Sequence, residues 1–141
     1  MRFLDANVFV YAYYKPGKQL GARERSMKER AQEIIRGVSE GKEVVLTSVV
    51  HVSEVVNVLK HGMPLERLVV VVRGLFMLDN VKVVGVSREV FFAAVELGED
   101  LKLEANDALA VDVMRSNGVR EIYSFDEDFD RVEGIVRLPR F

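Results

Sequence analysis

The sequence contains no cysteine. Disulfides, thiolate zinc sites and cysteine nucleophiles are therefore excluded, and the chain suits a reducing compartment. Long apolar runs are missing too. Stretches such as Leu68 to Val72 are far too short to span a bilayer. A positive excess is also absent: 20 Lys and Arg stand against 22 Asp and Glu, a net charge of −2. The basic footprint common among nucleic-acid binders is thus not a property of the whole chain. Strand-like residues begin at Arg2, which leaves no room for a signal peptide and predicts a cytoplasmic location.

What is present is the composition of a folded protein. With 141 residues, 49% of them apolar and 30% charged, the chain can bury a core. It shows no repeat, linker or low-complexity segment, which predicts a single domain over 1–141. Arg2 to Asp5 reads as a buried strand, followed by a helix from about Ala6 to Tyr14. Lys15-Pro16-Gly17 is a break, and the loop continues to about Gly21. Arg23 to Ser39 has helical spacing, with Ala31, Ile34, Ile35 and Val38 on one face.

Glu43 to Thr47 reads as a strand, and Ser48 caps a helix from Val49 to about Lys60. Pro64 opens a helix to about Met77, Val81 to Val84 is a strand, and Ser87 caps a helix from Arg88 to about Gly98. Asn106 or Asp107 caps the next helix, which ends near Asn117-Gly118. Strands follow at Glu121 to Tyr123 and about Ile135 to Leu138, with a turn at Asp126 to Asp130 between them. Alternating strands and helices predict a three-layer α/β/α sandwich around a mostly parallel sheet of four to five strands.

In open parallel sheets, functional residues gather beyond the carboxyl ends of the strands. Asp5 ends the first strand, Asp126 follows the fourth across Ser124-Phe125, and Asp107 opens a helix that can face the same crevice. Glu54 lies mid-helix between Val50 and Val58, where a carboxylate is poorly solvated without a partner. Asp107 likewise opens an apolar face, with Ala110, Val111 and Met114 at helical spacing. Singly, each acid has an ordinary use: Asp5 and Asp107 as helix caps, Asp126 in a turn, Glu54 in an ion pair. Jointly, four acids on separate elements approach one end of the sheet. Such a set repels itself unless a cation neutralises it, and oxygen donors alone select a hard ion such as Mg²⁺ or Mn²⁺. Between Lys15 and Arg30 lie six basic residues, among them Lys18, Arg23 and Arg25. They read either as a solvated helix face or as an RNA-contacting arm.

Four segments together resemble the motifs of PIN-domain nucleases: Phe3 to Tyr11 around Asp5, Thr47-Ser48 with Glu54, Asn106 to Ala110 around Asp107, and Ser124 to Phe129 around Asp126. They occur in order over almost the whole chain, and the compact form is similar to the VapC toxins of toxin–antitoxin pairs. The resemblance implies a Mg²⁺-dependent endoribonuclease with Asp5 and Asp107 as principal metal ligands. Glu54 and Asp126 would complete the pocket, Asp128 would assist, and Asn7 and Ser124 would support the site. It further implies an RNA substrate, a homodimer and an antitoxin partner. The segment Lys15 to Arg30 departs from the pattern, being longer than the usual connection after the first helix. Two alternatives stay open: an inactive PIN module serving as an RNA- or protein-binding scaffold, and a PIN ribonuclease acting in RNA processing outside a toxin system.

Other readings fare worse. A haloacid-dehalogenase-type phosphatase needs an aspartate where Asn7 stands. The Asp126-Asp128-Asp130 run imitates a calcium-binding EF-hand loop, but Arg131 and Arg137 occupy the positions of its glycine and glutamate. His51 and His61 are too far apart on one helix to form a metal pair and read as surface or boundary residues. The helix from Pro64 to Met77 is apolar nearly all round, which predicts burial on more than one side, within the core or against a partner.

Overall fold

The computed structural model describes residues 1–14 and 19–140. In chain order they form β1 (Arg2–Leu4), α1 (Ala6–Tyr13), α2 (Ala22–Ser39), β2 (Val45–Ser48), α3 (Val49–Leu59), α4 (Leu65–Met77), β3 (Val81–Val84), α5 (Arg88–Leu101), α6 (Ala105–Ser116), β4 (Glu121–Tyr123), a 3₁₀ turn (Glu127–Arg131) and β5 (Val136–Leu138). The expected break at Lys15-Pro16-Gly17, and Lys18 after it, lie outside the described residues.

Alternation along the strands decides the layering. Phe3, Leu46 and Ile122 point to one face of the sheet, while their neighbours Leu4, Val45 and Tyr123 point to the other. All six are buried, so both faces must be covered. The first core is built with residues of α1 to α4, including Val8, Phe9, Ile35 and Val55. The second is built with residues of α5, α6 and the 3₁₀ turn, including Ala94, Leu109, Met114 and Phe129. This is the predicted three-layer α/β/α fold.

The sheet runs in the order β3-β2-β1-β4-β5, and every neighbouring pair is parallel. The chain steps outward from β1 to β3, then returns to place β4 on the other side of β1. Connections therefore diverge at the carboxyl ends of β1 and β4, which opens a crevice there.

Several boundaries differ from the sequence expectation. β2 begins at Val45 and includes Ser48, which also caps α3 by accepting from the His51 N–H at 3.2 Å. α5 does not stop at Gly98 but continues to Leu101, and Lys102 ends it in the left-handed region at φ 59°. Gly98 is instead a point of close approach, because a Cβ there would meet the Leu103 carbonyl oxygen at 2.6 Å. The cap of α6 is Glu104, so Asn106 and Asp107 lie inside its first turn. Burial of α4 on more than one side is not met among the described residues: Leu68 and Leu75 are buried, while Leu65, Val69, Val70, Phe76 and Met77 are exposed. Part of the basic segment is structural, for Lys28 donates to the carbonyls of Tyr11, Ala12 and Tyr14 at the end of α1. That placement also suits the helix dipole.

Candidate functional site

Asp5 leaves β1 with extended backbone and caps α1. Its Oδ1 accepts from the Ala6 N–H at 2.8 Å and its Oδ2 from the Ser124 hydroxyl at 2.7 Å. It is 4% exposed. Burial pushes its carboxyl up to about 6; the Ser124 and Ala6 hydrogen bonds pull the other way, and Glu54 and Asp126 add repulsion.

Ser124 joins the ends of β4 and β1. Its oxygen also receives the Asp126 N–H at 3.0 Å and the Asn7 amide at 3.3 Å, while Asn7 Oδ1 accepts from the Phe125 N–H. From beneath, Arg137 donates to the Ser124 carbonyl and holds Asp130 through two hydrogen bonds. Asp126 then caps the 3₁₀ turn, accepting from the Asp128 N–H at 2.9 Å.

Asp107 projects from the first turn of α6, whose Ala110, Val111 and Met114 are fully buried. Its carboxyl is pushed up to about 8. Burial is the largest cause, followed by repulsion from Asp5 and Asp126, a hydrogen bond to Asp126, and repulsion from Glu54. Glu54, on α3, is held by an amide: its Oε1 accepts from the Asn106 side chain at 2.7 Å.

Asp5, Asn7, Glu54, Asp107 and Asp126 line one cleft of roughly 450 Å³, together with Glu104, Ala105 and Asn106. Oxygens of Asp107, Asp126 and Asp128 lie within 4.8 Å of one another, spacing that one cation can bridge. Asp128, expected only to assist, thus belongs to the tightest group of acids, while Asp5 is buried in the cleft wall. Arg23 ion-pairs with Glu127 at 2.9 Å, which ties the start of α2 to the turn beside Asp126. Arg25 is exposed and reaches the Leu20 carbonyl at 3.5 Å. Lys15 and Lys18 lie outside the described residues.

Sequence reasoning missed three residues here. Glu104 lines the cleft as the α6 cap, and Asn106 anchors Glu54. His51 is not a surface or boundary residue but 1% exposed, and burial holds its imidazole down at about 4, against a small opposite pull from the Asn106 carbonyl. One signal was available: His51 stands three residues after the cap Ser48, where side chains commonly engage the cap.

The sequence model of the PIN domain family matches residues 2–135. Among curated proteins, none matches the chain in sequence. Among solved structures, VapC20 of Mycobacterium tuberculosis, described as a sarcin–ricin loop cleaving toxin, is 22% identical with a TM-score of 0.64, over 92% of this chain and 93% of its own. A toxin–antitoxin complex from Klebsiella pneumoniae contains a chain 14% identical, with a TM-score of 0.65 and 96% coverage of each. VapBC2 from Rickettsia felis, bound to a DNA fragment from its promoter, contains one 14% identical with a TM-score of 0.62, again over 96% of each. At these identities the likeness establishes a shared fold.

Proposed function

The chain belongs to the PIN-domain family, and from that premise we propose that it is a metal-dependent endoribonuclease, the toxin of a toxin–antitoxin pair. One observation carries the reading: acids from four separate elements converge on one cleft at the β1–β4 switch point. A protein with no use for a cation gains nothing from this crowding, which adds to burial in raising Asp107 to about 8.

The donor set fits a hard divalent ion. It consists of carboxylate oxygens, three of them already within bridging distance, and relief of their repulsion favours a charge of two or more. Asp107, Asp126 and Asp128 would hold Mg²⁺ or Mn²⁺, with Asp5 and Glu54 supplying further negative charge. A divalent ion bound there supplies polarisation of a phosphodiester oxygen and a nucleophile drawn from water at neutral pH.

The chain's own residues do the positioning. Ser124 and Ala6 fix both oxygens of Asp5, so that carboxylate keeps one orientation whether or not a cation is near. Asn106 holds Glu54 toward the cleft. Asn7 braces Ser124 and leaves its α1 turn facing the same opening. Arg23, tied to Glu127, puts positive charge near the acids, where an RNA backbone would pass.

The exposed apolar residues of α4 suit burial against a second subunit or an antitoxin segment. The structural relatives in toxin–antitoxin complexes support that partner. Among the described residues no helix is long and apolar enough to cross a membrane. A toxin that cuts RNA would act in the cytoplasm, where its substrate is.

A fluorogenic RNA incubated with the purified protein tests the activity. Cleavage should need Mg²⁺ or Mn²⁺, stop with EDTA, and fall about a thousand-fold in Asp107→Asn, given the several kcal/mol such ions supply. Undiminished cleavage in EDTA, or in the variant, would remove the metal mechanism. No cleavage under any metal would favour the scaffold alternative.

A further inference from the structure

The imidazole of His51 is a buried titratable group near the cleft that the proposed chemistry does not use. Its surroundings are specific. The ring packs edge-on against Phe3, with centroids 4.9 Å apart. Nε2 lies 3.0 Å from the Asn106 carbonyl oxygen, and Nδ1 lies 2.6 Å from the Ser48 hydroxyl. A carbonyl can only accept, so Nε2 carries the proton and Nδ1 accepts from Ser48. The Ser48 oxygen in turn receives the His51 backbone N–H. Every polar atom in this chain of contacts is satisfied by a neutral imidazole.

The bond crosses between helices. His51 is on α3 and Asn106 on α6, 55 residues apart in sequence. Asn106 returns the link, since its side-chain amide donates to Glu54 on α3 at 2.7 Å. The two helices are thus joined by two polar contacts through one residue, and that residue immediately precedes Asp107. A carbonyl in the first turn of a helix is already used by the intrahelical ladder, so His51 is not needed to satisfy it. What the bond adds is direction: it sets how the start of α6 sits against α3.

We infer that His51 is a positioning residue, acting through Asn106 to hold Glu54 and Asp107 at the spacing a divalent cation requires. The inference rests on the metal-dependent nuclease reading, and it makes Ser48-His51-Asn106 the outer support of the acid cleft. Outer contacts of this kind commonly change metal affinity about ten-fold or more when removed.

The test compares wild type with His51→Leu, which keeps most of the volume and loses both ring nitrogens, and His51→Gln, whose amide can replace the Nε2–H donor. Free Mn²⁺ measured by electron paramagnetic resonance gives the affinity, and the NMR resonance of the Asn106 side-chain amide reports the Glu54 bond without metal. His51→Leu should weaken Mn²⁺ binding about ten-fold and shift the amide toward solvent values, with His51→Gln recovering most of both. If His51→Leu does not fold, Ser48→Ala, which frees the ring without emptying its space, should move both readouts in the same direction. Equal affinity and an unmoved amide in His51→Leu, or in Ser48→Ala where that variant carries the test, would overturn the positioning role. So would a His51→Gln as weak as His51→Leu. A wild type that neither binds Mn²⁺ nor cuts RNA would instead overturn the nuclease reading, and the amide shift would still decide whether His51 sets the Glu54 contact.

Discussion

Burial and, after it, three neighbouring carboxylates oppose ionisation of Asp107, and the consequence is a pH dependence of known sign. The folded protein keeps that proton to about pH 8 and the Asp5 proton to about 6, whereas the unfolded chain releases both near 3.8. The folded state therefore binds more protons across those windows, and its stability falls as pH rises through them. His51 acts oppositely: about 4 when folded and 6.5 when unfolded, so its contribution rises across that interval and offsets Asp5. Above about pH 6.5, Asp107 is the one of the three still titrating. Urea midpoints of the metal-free protein should accordingly decline from pH 6.5 to 8, and Asp107→Asn should flatten the decline. A midpoint that climbs over this range would contradict the crowding. The placement of Asp5 and Asp126 at the cleft was legible from sequence because Asp5 follows its strand directly and Asp126 comes three residues after its own. Asn106 as the partner of Glu54, and His51 as the partner of Asn106, were not: those contacts join residues 52 and 55 positions apart, and no local pattern specifies them.

Among the helices, the end of α5 shows how a local rule can mislead. Glycine near the end of an apolar-periodic stretch is a common stop signal. Here the stop is Lys102, in the left-handed region, and Gly98 serves contact with the Leu103 carbonyl instead. Two substitutions separate these uses. Gly98→Ala should destabilise by about 1–3 kcal/mol, since the added methyl overlaps backbone that cannot swing away. Lys102→Gly should stabilise by roughly 0.5–1 kcal/mol by removing the left-handed strain of a residue with a Cβ. Denaturant titration reads both, and a stabilised Gly98→Ala would contradict the assigned contact. The start of α6 follows the same lesson. Asn and Asp are good caps, yet Glu104 holds that place, which puts Asp107 three positions past the cap and into the acid cluster. Strand and helix identities were readable because their apolar periods are clean; the ends were set by contacts made elsewhere in the chain.

For the molecule as a whole, the order of strands matters more than any single motif. Placing β4 beside β1 after the excursion to β3 brings Asp5 and Asp126 together, and the first turn of α6 carries Asp107 over them. Alternation of strands and helices announced the parallel sheet, but strand order has no sequence signature of its own and emerges only in the folded chain. The exposed face of α4 bears on assembly at the same scale. Sedimentation at micromolar concentration should show a dimer, and a clean monomer would leave Leu65, Val70, Phe76 and Met77 to an antitoxin alone. The central claim is that these carboxylates share a divalent ion, and thermal unfolding at pH 8 with increasing Mg²⁺ tests it most directly. At about ten times the dissociation constant, binding to the folded state alone contributes roughly 1.4 kcal/mol, a rise of about 4 °C. Wild type should show that rise and Asp107→Asn should lose most of it; a wild-type melting temperature indifferent to Mg²⁺, or an equal rise in the variant, would contradict the account.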